Sequence, residues 1–402
     1  ADRDAPAPAS TPAPAHTADP LAAGFQSPPD SARPRIWWHW LSGNVAKPGI
    51  TLDLEWMKRT GLAGVQMFDG EMGAPQIVPH RVKALSPEWL DDLRFAASEA
   101  DRLGIEFAMA AAPGWSETGG PWVKPEAGMK KFTWSETRVA GGRRAGHLAA
   151  PPAIAGPFQG IQKRDQMGKL SDGVAGYYHD ALIVAYRVPE GDVPLASLKP
   201  QVTASQPGLA LAKLADGDLS DPIVLDTPSP DKPAWVAYTF DRPQTMRALT
   251  MVGPFGGRFA DGPSGRIEAS DDGVHWRSIR TLVGAAHNPA PERTFAFSAT
   301  TARAFRVVFE TPEISREPYP HAPGIALAEL AFVPGARLDL FEDKAAFGVL
   351  PDADITASPV SDAAIPVSGV LNLTDKLRAD GTLDWTAPAG NWIVLRGGYS
   401  PT

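Results

Sequence analysis

Between residues 35 and 110 the chain alternates apolar runs too short for helices with stretches that carry apolar residues at helical spacing. The first run, Arg35-Ile36-Trp37-Trp38-His39-Trp40-Leu41-Ser42-Gly43-Asn44, opens as an apolar strand and closes in hydrogen-bonding side chains. Ile50, Leu54, Met57 and Thr60 then fall at helical spacing, with acids early, bases late and Gly61 as a stop. Gly64-Val65-Gln66-Met67-Phe68 reads as a buried strand running into Asp69-Gly70-Glu71. Ser86-Pro87 reads as an N-cap and first turn, followed by Trp89, Leu90, Leu93, Ala97, Ala100 and Leu103 as the inward face and Gly104 as the stop. Residues 105–110 form a third apolar run, leading to Pro113-Gly114-Trp115-Ser116-Glu117. Strand–helix–strand–helix–strand with short loops predicts parallel strands joined by crossovers.

Each predicted strand ends, on its C-terminal side, in residues capable of chemistry: His39 and Asn44, Asp69 and Glu71, Trp115 and Glu117. A (β/α) barrel and an open doubly wound sheet both keep their sites at that edge. No glycine-rich phosphate loop follows any of the three strands, which favours the barrel and a sugar-like ligand. Sugar C–H faces pack on indole rings, and sugar hydroxyls bond amides and imidazoles. Trp40, Trp115 and Trp122 are therefore the expected stacking walls, with His39 and Asn44 as hydrogen-bonding groups. Trp37, Trp38 and Trp56 are expected in the core. Asp69, Glu71 and Glu117 are the candidates for a general acid and base; they equally suit hydroxyl binding, metal ligation or loop bracing.

Composition narrows the class. A chain of 402 residues is long enough for two or three domains. The net charge of −8 and the lack of a basic stripe argue against a nucleic-acid partner. Without cysteine there is no disulfide or thiolate chemistry, and any metal must use oxygen or imidazole ligands. No apolar run is long enough to span a bilayer. Pro (41) and Gly (38) suit many short strands and loops, and twelve Trp against six Tyr is a ratio often met in carbohydrate-active proteins. No HExxH, GxSxG or P-loop motif is present, and His80, His147 and His179 are isolated and receive no role. Residues 1–33, rich in Ala, Pro, Ser and Thr, read as a disordered linker like that left after removal of a secretory signal, so a periplasmic or secreted protein is expected.

Beyond the βα units at 34–131, the pattern changes to all-β: an insertion at 132–207, a β-sandwich at 208–335, and a closing β-rich segment at 336–402 whose residues 381–399 read as a hairpin leading back to the barrel. The sandwich resembles the coagulation-factor type C, or discoidin-like, domains, which include family 32 carbohydrate-binding modules. The resemblance rests on Asp216-Gly217, the turn Ser270-Asp271-Asp272-Gly273 with Trp276, and Ala328-Glu329-Leu330. It implies a structural calcium ion held in part by Asp216 and Glu329, the alternatives being turn chemistry and a surface salt bridge.

The motifs WWHWLSGN, GITLDLEWMKRTGLAGVQMF, AAAPGWSETGGPWVKPE and the closing NWIVLRGGYSPT resemble glycoside hydrolase family 106, typified by bacterial α-L-rhamnosidases. The resemblance implies a (β/α)8 barrel interrupted by β-rich insertions, inversion at the anomeric carbon, a calcium ion contacting the sugar, and a rhamnose-containing glycoside as substrate. It also implies that this chain is an N-terminal fragment, with the catalytic pair possible beyond residue 402, because three βα units cannot close eight strands. The alternative is a non-catalytic carbohydrate-binding β-sandwich protein on a βα scaffold.

Overall fold

The computed structural model describes residues 19–110, 114, 123–162, 176–219, 221–253, 263–284, 291–310, 324–345, 347, 357–361 and 363–402. The chain divides into two compact units, 1–124 and 125–402.

The first unit is the predicted βαβαβ run. After a short helix α1 (Pro20–Gln26) come β1 (Arg35–Leu41), α2 (Lys47–Arg59), β2 (Gly64–Gly70), α3 (Pro87–Leu103) and β3 (Glu106–Met109). The strands form a parallel sheet in the order β1-β2-β3, with Trp37 opposite Gln66 and Trp40 opposite Asp69. α1 differs from the expected unstructured linker: Asp19 accepts the Leu21 N–H at 3.0 Å and Pro20 sits in the first turn, yet the helix buries nothing. Cap chemistry forms one turn there without a core to dock on.

α2 buries Ile50, Leu54 and Met57 against one face of the sheet. α3 starts at the Ser86 cap, which accepts the Trp89 N–H, and stops at Gly104 in the left-handed region. Its buried face is rotated from the expected one: Asp92 and Ala96 lie inside with Trp89 and Ala100, whereas Ala97 is exposed and Leu90 is 37% exposed. α3 packs one flank on α2, where Lys47 pairs with Asp91, Thr51 Oγ1 donates to Glu99 and Arg102 bridges Glu99 to Glu55. That contact sets its rotation and leaves Leu90 half outside.

The second unit contains β4 (Lys130–Ala140), β5 (Arg144–His147), β6 (His179–Arg187), β7 (Gln201–Ala204), β8 (Ile223–Leu225), β9 (Ala234–Val252), β10 (Ser264–Ser270), β11 (Arg277–Leu282), β12 (Glu292–Glu310), β13 (Ile325–Leu327), β14 (Glu329–Val333), a one-turn helix α4 (Phe341–Lys344), β15 (Val370–Asn372), β16 (Thr382–Thr386) and β17 (Asn391–Pro401). β11-β10-β12-β9-β14, with β7 also on β9, make an antiparallel sheet. With the β8–β13 pair it encloses a core of Phe295, Phe305, Phe309 and Phe332 among aliphatic residues.

A second sheet, β15-β6-β17-β4, joins the two segments that the sequence separates. β17 pairs with β4 from Asn391↔Ala140 to Pro401↔Lys130, so residues expected as an insertion and as a closing segment share one sheet. The expected hairpin at 381–399 is not formed. β16 pairs with β5, and β17 with β4 and β6. Trp385 of β16 meets Trp392 of β17 edge-on at 5.6 Å, so the two strands face each other across a core instead of bonding side by side.

After β14 the chain is fastened to β12 by three acids. Asp339 accepts the Ala296 N–H and an Arg280 N–H, Glu342 accepts the Thr294 N–H and hydroxyl, and Asp343 accepts from Arg293 Nε at 3.0 Å. Arg293 and the Asp343 side chain are 1% and 0% exposed. Removing one member of a buried pair strands the other's charge, at a cost of about 3–5 kcal/mol. Asp343→Ala is expected to lower unfolding stability by that amount in urea titrations; a loss under ~1 kcal/mol would show the pair to be solvated.

Candidate functional site

The loops that follow β1 and β2 are stitched together, and Ser42 is the stitch. Its backbone sits in the left-handed region (φ 53°), and the residue is 4% exposed. Its N–H donates to the Gly70 carbonyl at 2.8 Å. Its hydroxyl donates to Glu71 Oε1 at 2.7 Å and accepts the N–H groups of Met72 and Ala74. Left-handed serine costs on the order of 1 kcal/mol, and these partners hold it there. Gly43 follows at φ 69°, where a Cβ would lie 2.5 Å from the Val82 carbonyl oxygen, so only glycine lets the two loops pass. The Asn44 amide donates to the Leu41 and Pro75 carbonyls, and its oxygen accepts the Ile77 N–H. Asn44, expected to bond a sugar hydroxyl, is thus engaged in bracing the 71–77 loop.

The two described rim carboxyls are not equivalent. The Ser42 hydroxyl and the Gly73 N–H hold Glu71 below the usual glutamate range, so it is ionised at neutral pH. Burial pushes Asp69 up, against the pull of the Trp89 indole N–H, which donates to Asp69 Oδ2 at 2.7 Å; the charge of Glu71 adds to the rise. Asp69 therefore points to the helix-covered side, in the same register row as Trp40, whose ring meets Trp89 edge-on at 6.1 Å.

The tryptophan assignments are corrected by strand alternation. Trp40, expected as a stacking wall, is 3% exposed and packs in the core beside Trp38, whose indole N–H donates to Asp53. Trp37 and Trp56, expected in the core, are 60% and 52% exposed. Successive strand residues face opposite sides, and α2 and α3 bury the side bearing Trp38 and Trp40. On the other side Trp37 lies parallel to Phe68 (5.7 Å, 4° between planes), with His39 edge-on to both. This ledge of Trp37, His39 and Phe68 is the surface suited to an apolar sugar face. The sequence reading singled out His39 alone. The signal it missed was the alternation in Trp37-Trp38-His39-Trp40, which places Trp37, not Trp40, beside His39. Trp115, Glu117 and Trp122 lie outside the described residues.

In the second unit, Asp216 and Glu329 come together. Glu329 Oε1 accepts the Gly217 N–H at 2.6 Å, and Asp216 Oδ1 accepts the Asp218 N–H at 2.8 Å. Burial and the Asp216 charge raise Glu329, opposed by the Gly217 bond. Two carboxylates brought together from the 216–218 turn and the start of β14 suit a cation such as calcium in chemistry, but they fill only part of its six to eight positions. No cluster of three acid, histidine or cysteine side chains able to hold a metal occurs among the described residues.

An ionised carboxylate past a strand end and an aromatic ledge are groups suited to binding a carbohydrate. Residues 26–402 match the family model of glycoside hydrolase family 106, alpha-L-rhamnosidase, and the chain belongs to that family. The structure of a rhamnosidase from Novosphingobium sp. PP1Y is similar over 94% of this chain and 34% of its own, with TM-score 0.73 and 39% sequence identity. This chain thus spans about a third of that protein. A protein of Formosa agariphila named "Putative beta-glucuronidase" is 47% identical over 123 residues, 31% of this chain and 10% of its own. A pectin-binding carbohydrate-binding module aligns with 33% of this chain at 18% identity and TM-score 0.26, too distant to carry an argument.

Ser42→Ala removes the hydroxyl from Glu71 and leaves the Met72 and Ala74 N–H groups without it. The expected loss is about 1–3 kcal/mol at pH 7. Glu71 is depressed in the folded state, so its share of that stability is present above the unfolded glutamate value and lost as pH falls through its folded value. The gap between wild type and Ser42→Ala in urea unfolding is expected to narrow from pH 7 to pH 3; a constant gap would show that Glu71 contributes nothing.

Proposed function

We propose that the chain forms part of an α-L-rhamnosidase that removes terminal α-L-rhamnose from plant glycosides or polysaccharides with inversion of configuration. The observation that carries this reading is a parallel strand pair that bears Glu71, held ionised just past the end of β2, and the Trp37–His39–Phe68 ledge on one face, in a chain that belongs to the rhamnosidase family. Inverting hydrolysis needs a proton donor and a carboxylate base about 6.5–9.5 Å apart. Glu71, deprotonated at neutral pH, suits the base or an acceptor of sugar hydroxyls and not the acid. Asp69 keeps its proton to higher pH but is turned toward Trp89. Glu117 remains a candidate for either role.

The three parallel strands are read as the first of a (β/α)8 barrel, and the 402 residues as the N-terminal portion of a longer enzyme; the 34% coverage of the Novosphingobium rhamnosidase supports this. Calcium is the proposed cation. Asp216 and Glu329 would help hold a structural ion, whose chemistry is charge neutralisation between adjacent carboxylates. The Ala/Pro-rich start supports a periplasmic or secreted location. Among the described residues no helix is long and apolar enough to cross a membrane.

The test is hydrolysis of p-nitrophenyl α-L-rhamnoside by the full-length protein, with the first-formed anomer read by NMR. Release of β-L-rhamnose is expected, and Glu71→Gln is expected to lower kcat/KM by about 10²-fold or more. Asp69→Asn, which can still accept from Trp89, is expected to cost much less. Activity on another glycoside with none on the rhamnoside would overturn the substrate assignment, and the α anomer would overturn inversion. The 402-residue chain alone is expected to be inactive; robust hydrolysis by it would relocate the catalytic pair.

A further inference from the structure

Where β6 ends and β17 begins, the second unit contains a recess that the proposed rhamnoside site does not use. Val188 N–H donates to the Asn391 carbonyl at 2.8 Å and closes the junction. Beside it lies a cavity of about 660 Å³, bordered by Arg138, Arg187, Asn391 and the loop 188–193. A volume of several hundred Å³ accommodates one or more sugar rings.

The two arginines reach the recess from adjacent rows of one sheet. Arg187 shares a row with Trp392 and Val139, and Arg138 shares the next with Ile393 and Tyr186. They stand on β4 and β6, either side of β17, with side chains on opposite faces of the sheet, and both border the recess at its end. Arg187 lies against the turn at Gly390: a Cβ there would come 2.7 Å from Arg187 Nε, and the turn's φ of 108° is one that favours glycine.

Several other arginines of this unit pair with acids, Arg280 with Asp339, Arg293 with Asp343, Arg306 with Glu268 and Arg396 with Asp180, whereas among the described residues exposed Arg143 and Arg242 do not and border no recess with a second arginine. Among the described residues Arg138 and Arg187 have neither an ion pair nor a side-chain hydrogen bond, and both are exposed. The recess also contains two acids. Asp192 is nearly buried and faces Arg337 at 3.5 Å, which leaves exposed Glu190 as the counter-charge on the loop. Each of the two guanidiniums bordering the recess is a fork of N–H donors without an acid partner, and an oxyanion is the group that satisfies such a fork through paired N–H···O bonds.

We propose that this recess binds an anionic sugar unit, a hexuronate or a sulfated hexose, with Arg138 and Arg187 on the anionic group and the Asn391 amide on a neighbouring hydroxyl. The sugar part of this proposal rests on the glycosidase reading; the anionic part rests on the arginines alone. It gives the protein a second, charge-selective contact with a polysaccharide, apart from the strand ends of the first unit.

The experiment is isothermal titration calorimetry of the 402-residue chain with digalacturonate, its methyl ester, galactose 6-sulfate and free rhamnose. Binding of digalacturonate or of the sulfated sugar, weakened by added salt, is expected, with the ester and rhamnose failing to compete; which anion binds separates carboxylate from sulfate recognition. Arg138→Gln and Arg187→Gln are each expected to weaken binding at least about tenfold with an unchanged thermal midpoint. Arg33→Gln, in the first unit, is expected to bind as wild type. Equal binding of the methyl ester, unaltered binding by both variants, or no binding of either anion would overturn the proposal. Rhamnoside turnover by the full-length enzyme is a separate readout. Turnover without anion binding sinks this inference alone, and anion binding without turnover sinks only the rhamnosidase reading.

Discussion

The register between β1 and β2 decides what the first unit can present. With Trp40 set beside Asp69, every side chain of the pair is assigned to a layer. Trp38, Trp40, Met67 and Asp69 go under the helices, and Trp37, His39 and Phe68 go to the other face. A slip of one residue would exchange these sets and bury the ledge. The helix layer enforces the register, because Leu54, Met57 and Trp89 offer apolar contacts only to the first set.

Past the strand ends, control passes from packing to hydrogen bonding. The Ser42 hydroxyl ties Glu71 and two backbone N–H groups of the neighbouring loop, and Asn44 ties three more backbone groups. A loop pinned through its backbone holds its carboxylate in one place and one charge state before any ligand arrives. Preorganisation of this kind is what gives a polar site its electrostatic effect. The same bonds make the two acids unlike each other: Glu71 receives donors and stays ionised, whereas Asp69 is desolvated and holds its proton longer.

The second unit uses a different device. Its four-stranded sheet is closed by β4 and β17, which lie more than 250 residues apart in the chain, and its link to the neighbouring sheet is a run of acids buried against β12. Long-range strand pairing and desolvated charge pairs both depend on the assembled fold. Neither leaves a periodic trace in the sequence.

The sequence by itself determined the βαβαβ run, its element order, the Ser86 and Gly104 helix limits and the rim position of Asp69 and Glu71, because apolar period, caps and glycine stops are local. It also carried the family motifs. Tertiary structure decided which tryptophans are walls and which are core, since Trp37 and Trp40 differ only in the face that α2 and α3 cover. It decided that β16 and β17 face each other instead of forming a hairpin, because β5, β4 and β6 compete successfully for their backbone groups. It also set the charge states of Asp69 and Glu71, which depend on partners brought from other positions in the chain: Trp89, twenty residues along from Asp69, and Ser42, twenty-nine residues before Glu71.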